Sequence, residues 1–271
     1  MTIKDILVHV DTSLTCPGRL KLAIGLAQRF DAALCGIFIL PSRELLELTA
    51  SEAAVRFALD FVELERRAGE LEDEFSSLLR QQGLAGDWEA ARGSAAPCIA
   101  QRGRVADLVI LGQRDPDRPK ILEAPEDVIL TCGRPVLVVP YAGRFDQIGS
   151  DVLVAWNGSR EATLAMHDAL PLMTASRPVT VMTVTTDGDP PTAVDSDPVP
   201  HLVRHGLNAR RERLPVRDLK PAEATLSRAA EIGADLIAMG AYGHSRLREA
   251  MLGGMTRDML RRMTVPVLMS H

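Results

Sequence analysis

The chain has no surplus of positive charge. Its 31 Lys and Arg stand against 36 Asp and Glu, a net charge of −5 at neutral pH. Proteins that grip nucleic acid or anionic membranes carry a basic excess on some face, and this balance argues against both partners. No apolar run approaches the ~20 residues that cross a bilayer. The opening Met1-Thr2-Ile3-Lys4-Asp5 enters an apolar strand directly, without the shape of a signal peptide. Cysteine is scarce: Cys16, Cys35, Cys98 and Cys132 show no C-x-x-C spacing and have no His at ligand spacing beside them. That argues against a disulfide framework and against a cysteine-held metal, and leaves four small hydrophobes in a cytoplasmic protein. Also missing are G-x-x-x-x-G-K-[ST], G-x-S-x-G and H-E-x-x-H, so no residue is assigned a catalytic role and no metal ligand is expected.

What is present is a repeat. Ala106-Asp107-Leu108-Val109-Ile110-Leu111-Gly112 returns as Ala234-Asp235-Leu236-Ile237-Ala238-Met239-Gly240. Arg134-Pro135-Val136-Leu137-Val138-Val139 returns as Val265-Pro266-Val267-Leu268-Met269. Asp5-Ile6-Leu7-Val8-His9-Val10-Asp11-Thr12-Ser13 aligns with Asp151-Val152-Leu153-Val154-Ala155-Trp156-Asn157-Gly158-Ser159. Three matched segments in one order mean tandem domains, because solenoid repeats are much shorter. With 271 residues, the chain accommodates two domains of roughly 130. The polar, Gly-bearing stretch 141–150 places the boundary at domains 1–145 and 146–271.

Within each half, β-branched runs alternate with helical spacing. The second half reads as strands Val152–Trp156, Val179–Val184, Asn208–Leu214, Leu236–Met239 and Val265–Met269. Its helices read as Arg160–Met173, Ala222–Ile232 and Thr256–Met263, with a loop through Asp187–Pro200 before a short helix. The first half follows the same plan with a longer helical region over Arg43–Gln82. Continuous apolar runs such as Leu108–Leu111 suit parallel strands covered on both faces. The fold class is α/β: two tandem doubly wound Rossmann-like domains, each with a mostly parallel five-stranded sheet. Such sheets bind ligands beyond the carboxyl ends of their strands, where the winding reverses.

The loop after Met239 carries the strongest chemical signal. Gly240, Gly243, Gly253 and Gly254 allow close backbone approach to a ligand, and a helix starting near Thr256 offers unpaired N–H groups to an anion. Thr256 can cap that helix through its hydroxyl. His244 and Arg246 stand within reach of phosphates or in solvent. Arg204, Arg210, Arg211, Arg213 and Arg217 form either a polyanion patch or the positive guard of an edge strand.

Gly240-x2-Gly243-x9-Gly253 behind an apolar strand resembles the nucleotide-binding motif of the universal stress protein family, and the two matched halves resemble a tandem member. The resemblance implies an adenine nucleotide, ATP possibly with Mg²⁺, in the C-terminal domain. It puts adenine near Ala155, Trp156, Asn157 and Val184, and ribose and phosphates on Met239, Gly240, Gly243, Gly253, Gly254, Met255 and Thr256. Two departures stand out: Asn157 replaces the family's usual Asp, and Gly254 replaces a usual Ser or Thr. The first half keeps Asp11 and Gly112 but continues Gln113-Arg114-Asp115-Pro116, with acidic residues and prolines in place of the later glycines. It is expected not to bind a triphosphate. The apolar last strands, Val136–Val139 and Val265–Met269, are expected at sheet margins, where the family pairs domains, giving an internal pseudo-dimer or a homo-oligomer. The implied role is a nucleotide-binding sensor or regulator in stress response. A non-binding interaction protein of the same fold and a weak ATP hydrolase are the alternatives.

Overall fold

The computed structural model describes residues 2–40, 42, 52–114, 125–173, 177–186, 196–243 and 254–271, side chains of 52–61 and of 186 excepted. Gly253, His244, Arg246 and Asp115 lie outside these residues, as do 43–51 of the expected first-half helix and 187–195 of the expected loop.

Among the described residues, ten strands form a single sheet. The first half supplies β1 (Asp5–His9), β2 (Ala33–Leu40), β3 (Trp88–Arg92), β4 (Leu108–Gly112) and β5 (Val136–Val139). The second supplies β6 (Val152–Ala155), β7 (Val179–Thr186), β8 (Ala209–Val216), β9 (Leu236–Gly240) and β10 (Val267–Ser270). Their order is β3-β2-β1-β4-β5-β10-β9-β6-β7-β8, so each half winds 3-2-1-4-5. All pairings are parallel except the central one, where β5 and β10 run antiparallel with Leu137 opposite Leu268. The two apolar margins expected from the sequence thus cover each other, and one sheet replaces two separate ones. Joining them satisfies ladder groups that an uncovered apolar edge leaves open.

The helices lie in two layers. α1 (Cys16–Phe30), α2 (Glu52–Gln82), α5 (Arg160–Ala169) and α6 (Val199–Arg204) pack on one face through Leu22, Phe75, Met166 and Leu202. α3 (Ala95–Gly103), α4 (Pro125–Cys132), α7 (Pro221–Glu231) and α8 (Met255–Arg262) pack on the other through Ile99, Ile129, Ala229 and Met259. A 3₁₀ turn at Leu170–Leu172 follows α5 where the sequence suggested continuous helix, because Pro171 cannot donate to the preceding turn. α6 begins at Val199, inside the expected loop, with proline in its first turn.

The repeat is visible as geometry. Asp107 accepts from the backbone N–H groups of Lys4 and Asp5 at 2.8 and 3.1 Å. Its twin Asp235 accepts from Gly149 and Ser150 at 2.8 and 2.9 Å. The aspartate that opens the fourth strand of each half therefore anchors the entry to the first.

The free sheet edges are β3 and β8. β8 carries Arg210, Arg211 and Arg213 of the arginine cluster, and much of that charge is answered locally. Arg228 clamps Glu212 through two nitrogens at 2.8 and 2.9 Å, while Arg210 and Arg211 pair with Glu212 and Asp197. An edge guarded by paired charge fits the protective reading better than a polyanion patch.

Candidate functional site

β6 and β9 are parallel neighbours with Ala155 opposite Met239, and the winding turns outward on either side of them, toward β7 and toward β10. The loops leaving these strands meet at the carboxyl end of the sheet.

The loop after β6 is built by short-range hydrogen bonds. Asn157 Oδ1 accepts from the Ser159 N–H at 3.0 Å, and Ser159 Oγ caps α5 by accepting from the Ala162 N–H at 3.1 Å. In the first half, Asp11 Oδ1 accepts from the Ser13 N–H at 2.8 Å in the same way. Asn157 therefore preserves the turn that an aspartate would make, and gives up only the charge.

The loop after β9 presses against α5. A side chain on Gly240 would come within 2.4 Å of the Ala162 nitrogen and 2.5 Å of the Glu161 carbonyl carbon. Gly243 has φ of +107°, and a Cβ there would lie 2.8 Å from Glu161 Oε2 and 2.9 Å from Ser159 Oγ. Both glycines thus allow backbone to approach backbone and side chain, which is the close-approach argument realised against the protein itself. Between them, Tyr242 is held at φ +58°, a conformation rare for a bulky residue. Its N–H is bonded to Thr256 Oγ1 at 3.2 Å.

That bond changes the expected role of Thr256. The residue is buried, and its hydroxyl ties the loop down instead of capping α8. The N-cap is Gly254, which supplies no side-chain acceptor. The leading N–H groups of a helix have no intrahelical partners, so the start of α8 offers donors suited to an anion.

The expected residues divide between two faces. Ala155, Val184, Tyr242 and Met255 pack with buried Met239 against the cluster that includes Met259 and Met182. Trp156 joins the opposite cluster with Ala162 and Met166, is only 6% exposed, and donates from its indole nitrogen to the Ser196 carbonyl at 3.1 Å. Successive positions of an extended chain point to opposite sides, so Trp156 and Ala155 do not wall one cavity. Asn157 is exposed beside them.

Two carboxylates escaped the sequence reading. Glu161, in the first turn of α5, has a side chain only 15% exposed and faces Gly243, with Arg160 at 3.6 Å. Asp258, in the first turn of α8, is buried and paired with Lys220 at 2.9 Å. Acidic residues in first helical turns are a signal the sequence does contain, but it reads as dipole complementation, not as a site wall.

In the first half, a buried arginine takes the space beneath Gly112. Arg19 reaches from α1 to donate to Asp11 Oδ2 at 2.7 Å and to the His9 carbonyl at 2.8 Å. Its guanidinium lies against Gly112, where a Cβ would be 2.3 Å from Nη1. Burial pushes the Asp11 carboxyl up, but Arg19, His9 and the Ser13 bonds outweigh it and hold the pKa below the usual range. Burial, then the Arg19 charge, pushes His9 down to about 4. Gln113, directly after Gly112, bonds from Nε2 to the Leu260 carbonyl at 2.8 Å and thereby bridges the halves.

Residues 150–271 match the model described as the universal stress protein family. The second half of the chain is thus similar to that family. It is 30% identical over 185 residues to universal stress protein Slr1230 of Synechocystis sp., a match covering 65% of this chain and 62% of that relative's length. A universal stress protein from Archaeoglobus fulgidus superimposes with a TM-score of 0.76 at 18% identity, over 98% of this chain and 96% of that one. PA1789 from Pseudomonas aeruginosa gives a TM-score of 0.63 at 16% identity, over 99% and 92%. These superpositions show that the universal stress protein fold extends through both halves. No helix among the described residues is long and apolar enough to cross a membrane.

Proposed function

We propose that the C-terminal half is an adenine-nucleotide-binding module, with ATP as the leading ligand, acting as a sensor or regulator in stress response. The reading rests on one observation above others: the 240–243 loop and the glycine-capped start of α8 sit at the carboxyl ends of β6 and β9, joined by the Tyr242–Thr256 bond. The N–H groups at Gly254, Met255 and Thr256 hold phosphate, and Ala155, Val184 and Met239 offer an apolar bed for the base. Gly253 belongs to the same path in sequence. Trp156 supports the site from behind as core, not as a wall of the base pocket.

Glu161 sets a condition on this reading. Its carboxylate repels a bare polyphosphate, and Mg²⁺ on the phosphates offsets that charge. The first half, bounded at about residue 145, acts as a structural partner, with Arg19 packed beneath Gly112 where the second half has Gly240. A second reading, an interaction protein with no useful nucleotide affinity, draws on Glu161 facing Gly243 and on Trp156 being committed to the core. Mass spectrometry of nucleotide released from the purified chain, followed by calorimetric titration with ATP and Mg²⁺, tests the two against each other. Multiple-turnover release of ADP would instead favour the hydrolase alternative.

A further inference from the structure

α1 and α2 follow the parallel strands β1 and β2 on one face of the sheet, so they run side by side in the same direction. Near their C-terminal ends they are tied together, where Gln28 Nε2 donates to Gln82 Oε1 at 3.0 Å. Ahead of that bond a cavity of about 830 Å³ lies between them. In the second half the matching helices touch instead: the His167 ring of α5 and the His201 ring of α6 have centres 4.8 Å apart. We propose that the first-half cavity binds a linear, uncharged amphiphile of the long-chain alcohol class.

The shape favours a linear molecule. α1 contributes Pro17, Leu20 and Ile24 to the lining, and α2 contributes Leu71, Phe75 and Leu78, at the three- and four-residue spacing of one helix face. Leu71 and Phe75 are buried and form the floor, whereas Leu20, Ile24 and Leu78 stay half-buried along the walls. The α2 wall runs from Arg67 to Gln82, about 22 Å of helix. A cavity of this volume falls within the roughly 300–1,000 Å³ of small-molecule sites. Its middle offers an extended chain apolar side chains, and methylene groups ask for nothing else.

Charge decides the class of the head group. The lining holds two cations, Lys21 and Arg67, and each already has a carboxylate. Lys21 pairs with Asp146 at 2.8 Å, and Arg67 with Glu74 at 2.8 Å, both partners being in the lining themselves. Asp11, the third acid of the lining, is held by Arg19. A carboxylate head would have to displace Glu74 or Asp146, and an ammonium head would have to displace Arg67 or Lys21. A hydroxyl both donates and accepts, so it joins such pairs without breaking them. The Gln28–Gln82 bond sets the register of the helices and puts Arg67 at the opposite end, with Thr12 and Ser13. That end receives the hydroxyl, and the chain runs toward the glutamines.

This site is separate from the nucleotide reading, because none of its lining residues belongs to the second half's glycine loop. The test titrates the full-length chain calorimetrically with 1-hexanol, 1-octanol and 1-decanol, each below its aggregation concentration. The expected result is one saturable site per chain, tightening by about fourfold for each added methylene. Decanoate and decylammonium should bind about tenfold more weakly than 1-decanol, because a buried charged head finds no free partner. Mg²⁺-ATP should leave alcohol binding unchanged. Ile24→Trp fills the middle of the channel and should abolish binding, while Leu78→Gln alters a half-buried wall and should weaken it about fivefold. The proposal is overturned by the absence of a saturable site, by undiminished binding in folded Ile24→Trp or in Leu78→Gln, or by charged chains binding as tightly as the alcohol. Displacement of the alcohol by Mg²⁺-ATP would also overturn it, by assigning the cavity to the nucleotide.

Discussion

Arg19 Nη2 lies 2.7 Å from Asp11 Oδ2, deep in the first half, and eight residues beyond Asn157 the second half has Ala165 instead. This single pair separates the two halves chemically. Where one has a cation and a carboxylate locked together beneath Gly112, the other has a methyl group and leaves its loop free to be shaped by Gly240 and Gly243.

Removing Arg19 strands a buried carboxylate. Arg19→Leu is expected to destabilise the chain by about 3–5 kcal/mol, the range for breaking a buried pair by removing one partner. Arg19→Leu/Asp11→Leu should recover much of that loss. Urea unfolding of both variants measures it, and ATP affinity of folded Arg19→Leu should be unchanged.

Acid should weaken the same region. His9 has a folded pKa of about 4 against an unfolded value of 6.5, so the unfolded state binds the proton first. The stability this histidine contributes is present above about pH 6.5 and is lost as pH falls toward 4, by about 3 kcal/mol in total. Asp11, also depressed, adds a loss in the same direction at lower pH. Unfolding free energies should hold from pH 7.5 to about 6.5 and then fall toward pH 4.5, and that fall should flatten in His9→Gln.

The two motif glycines should behave differently. Gly240→Val forces a side chain into the backbone of α5 and should lower stability sharply, with a fall in melting temperature on the order of 10 °C. Gly243→Val meets flexible side chains but must adopt φ near +107°, costing about 1–3 kcal/mol. Its fold should survive while ATP binding is lost. Thermal melts alongside titrations distinguish the two effects.

Glu161→Gln keeps the shape and removes the charge facing Gly243. ATP affinity without Mg²⁺ should rise by about threefold to tenfold, equivalent to roughly 0.6–1.4 kcal/mol. The advantage that Mg²⁺ confers should shrink. Titrations of both chains with and without Mg²⁺, at two salt concentrations, measure this, and equal affinities would remove Glu161 from the site.

The strands were legible because they follow from local pattern: the Ala-Asp-Leu repeats mark β4 and β9, and the apolar ends Val136–Val139 and Val265–Met269 announce strands that need a partner. That the partner of each is the other depends on how two folded halves meet, which no local pattern specifies. Arg19 was illegible for a related reason. A charged residue in an amphipathic helix reads as solvent-facing, and only the packed sheet shows the carboxylate waiting for it. Trp156 belongs to the core on the face of the sheet opposite Ala155, a separation that the alternation of an extended chain already implies. Gly240 was recognised as a point of close approach, but the approaching partner is α5.

Calorimetric titration of Mg²⁺-ATP into the full chain and into Gly243→Val tests the central claim most directly. The account predicts one binding event per chain, abolished in the variant while its melting transition persists. Absence of heat in the unmodified chain, or equal binding in the variant, would contradict it.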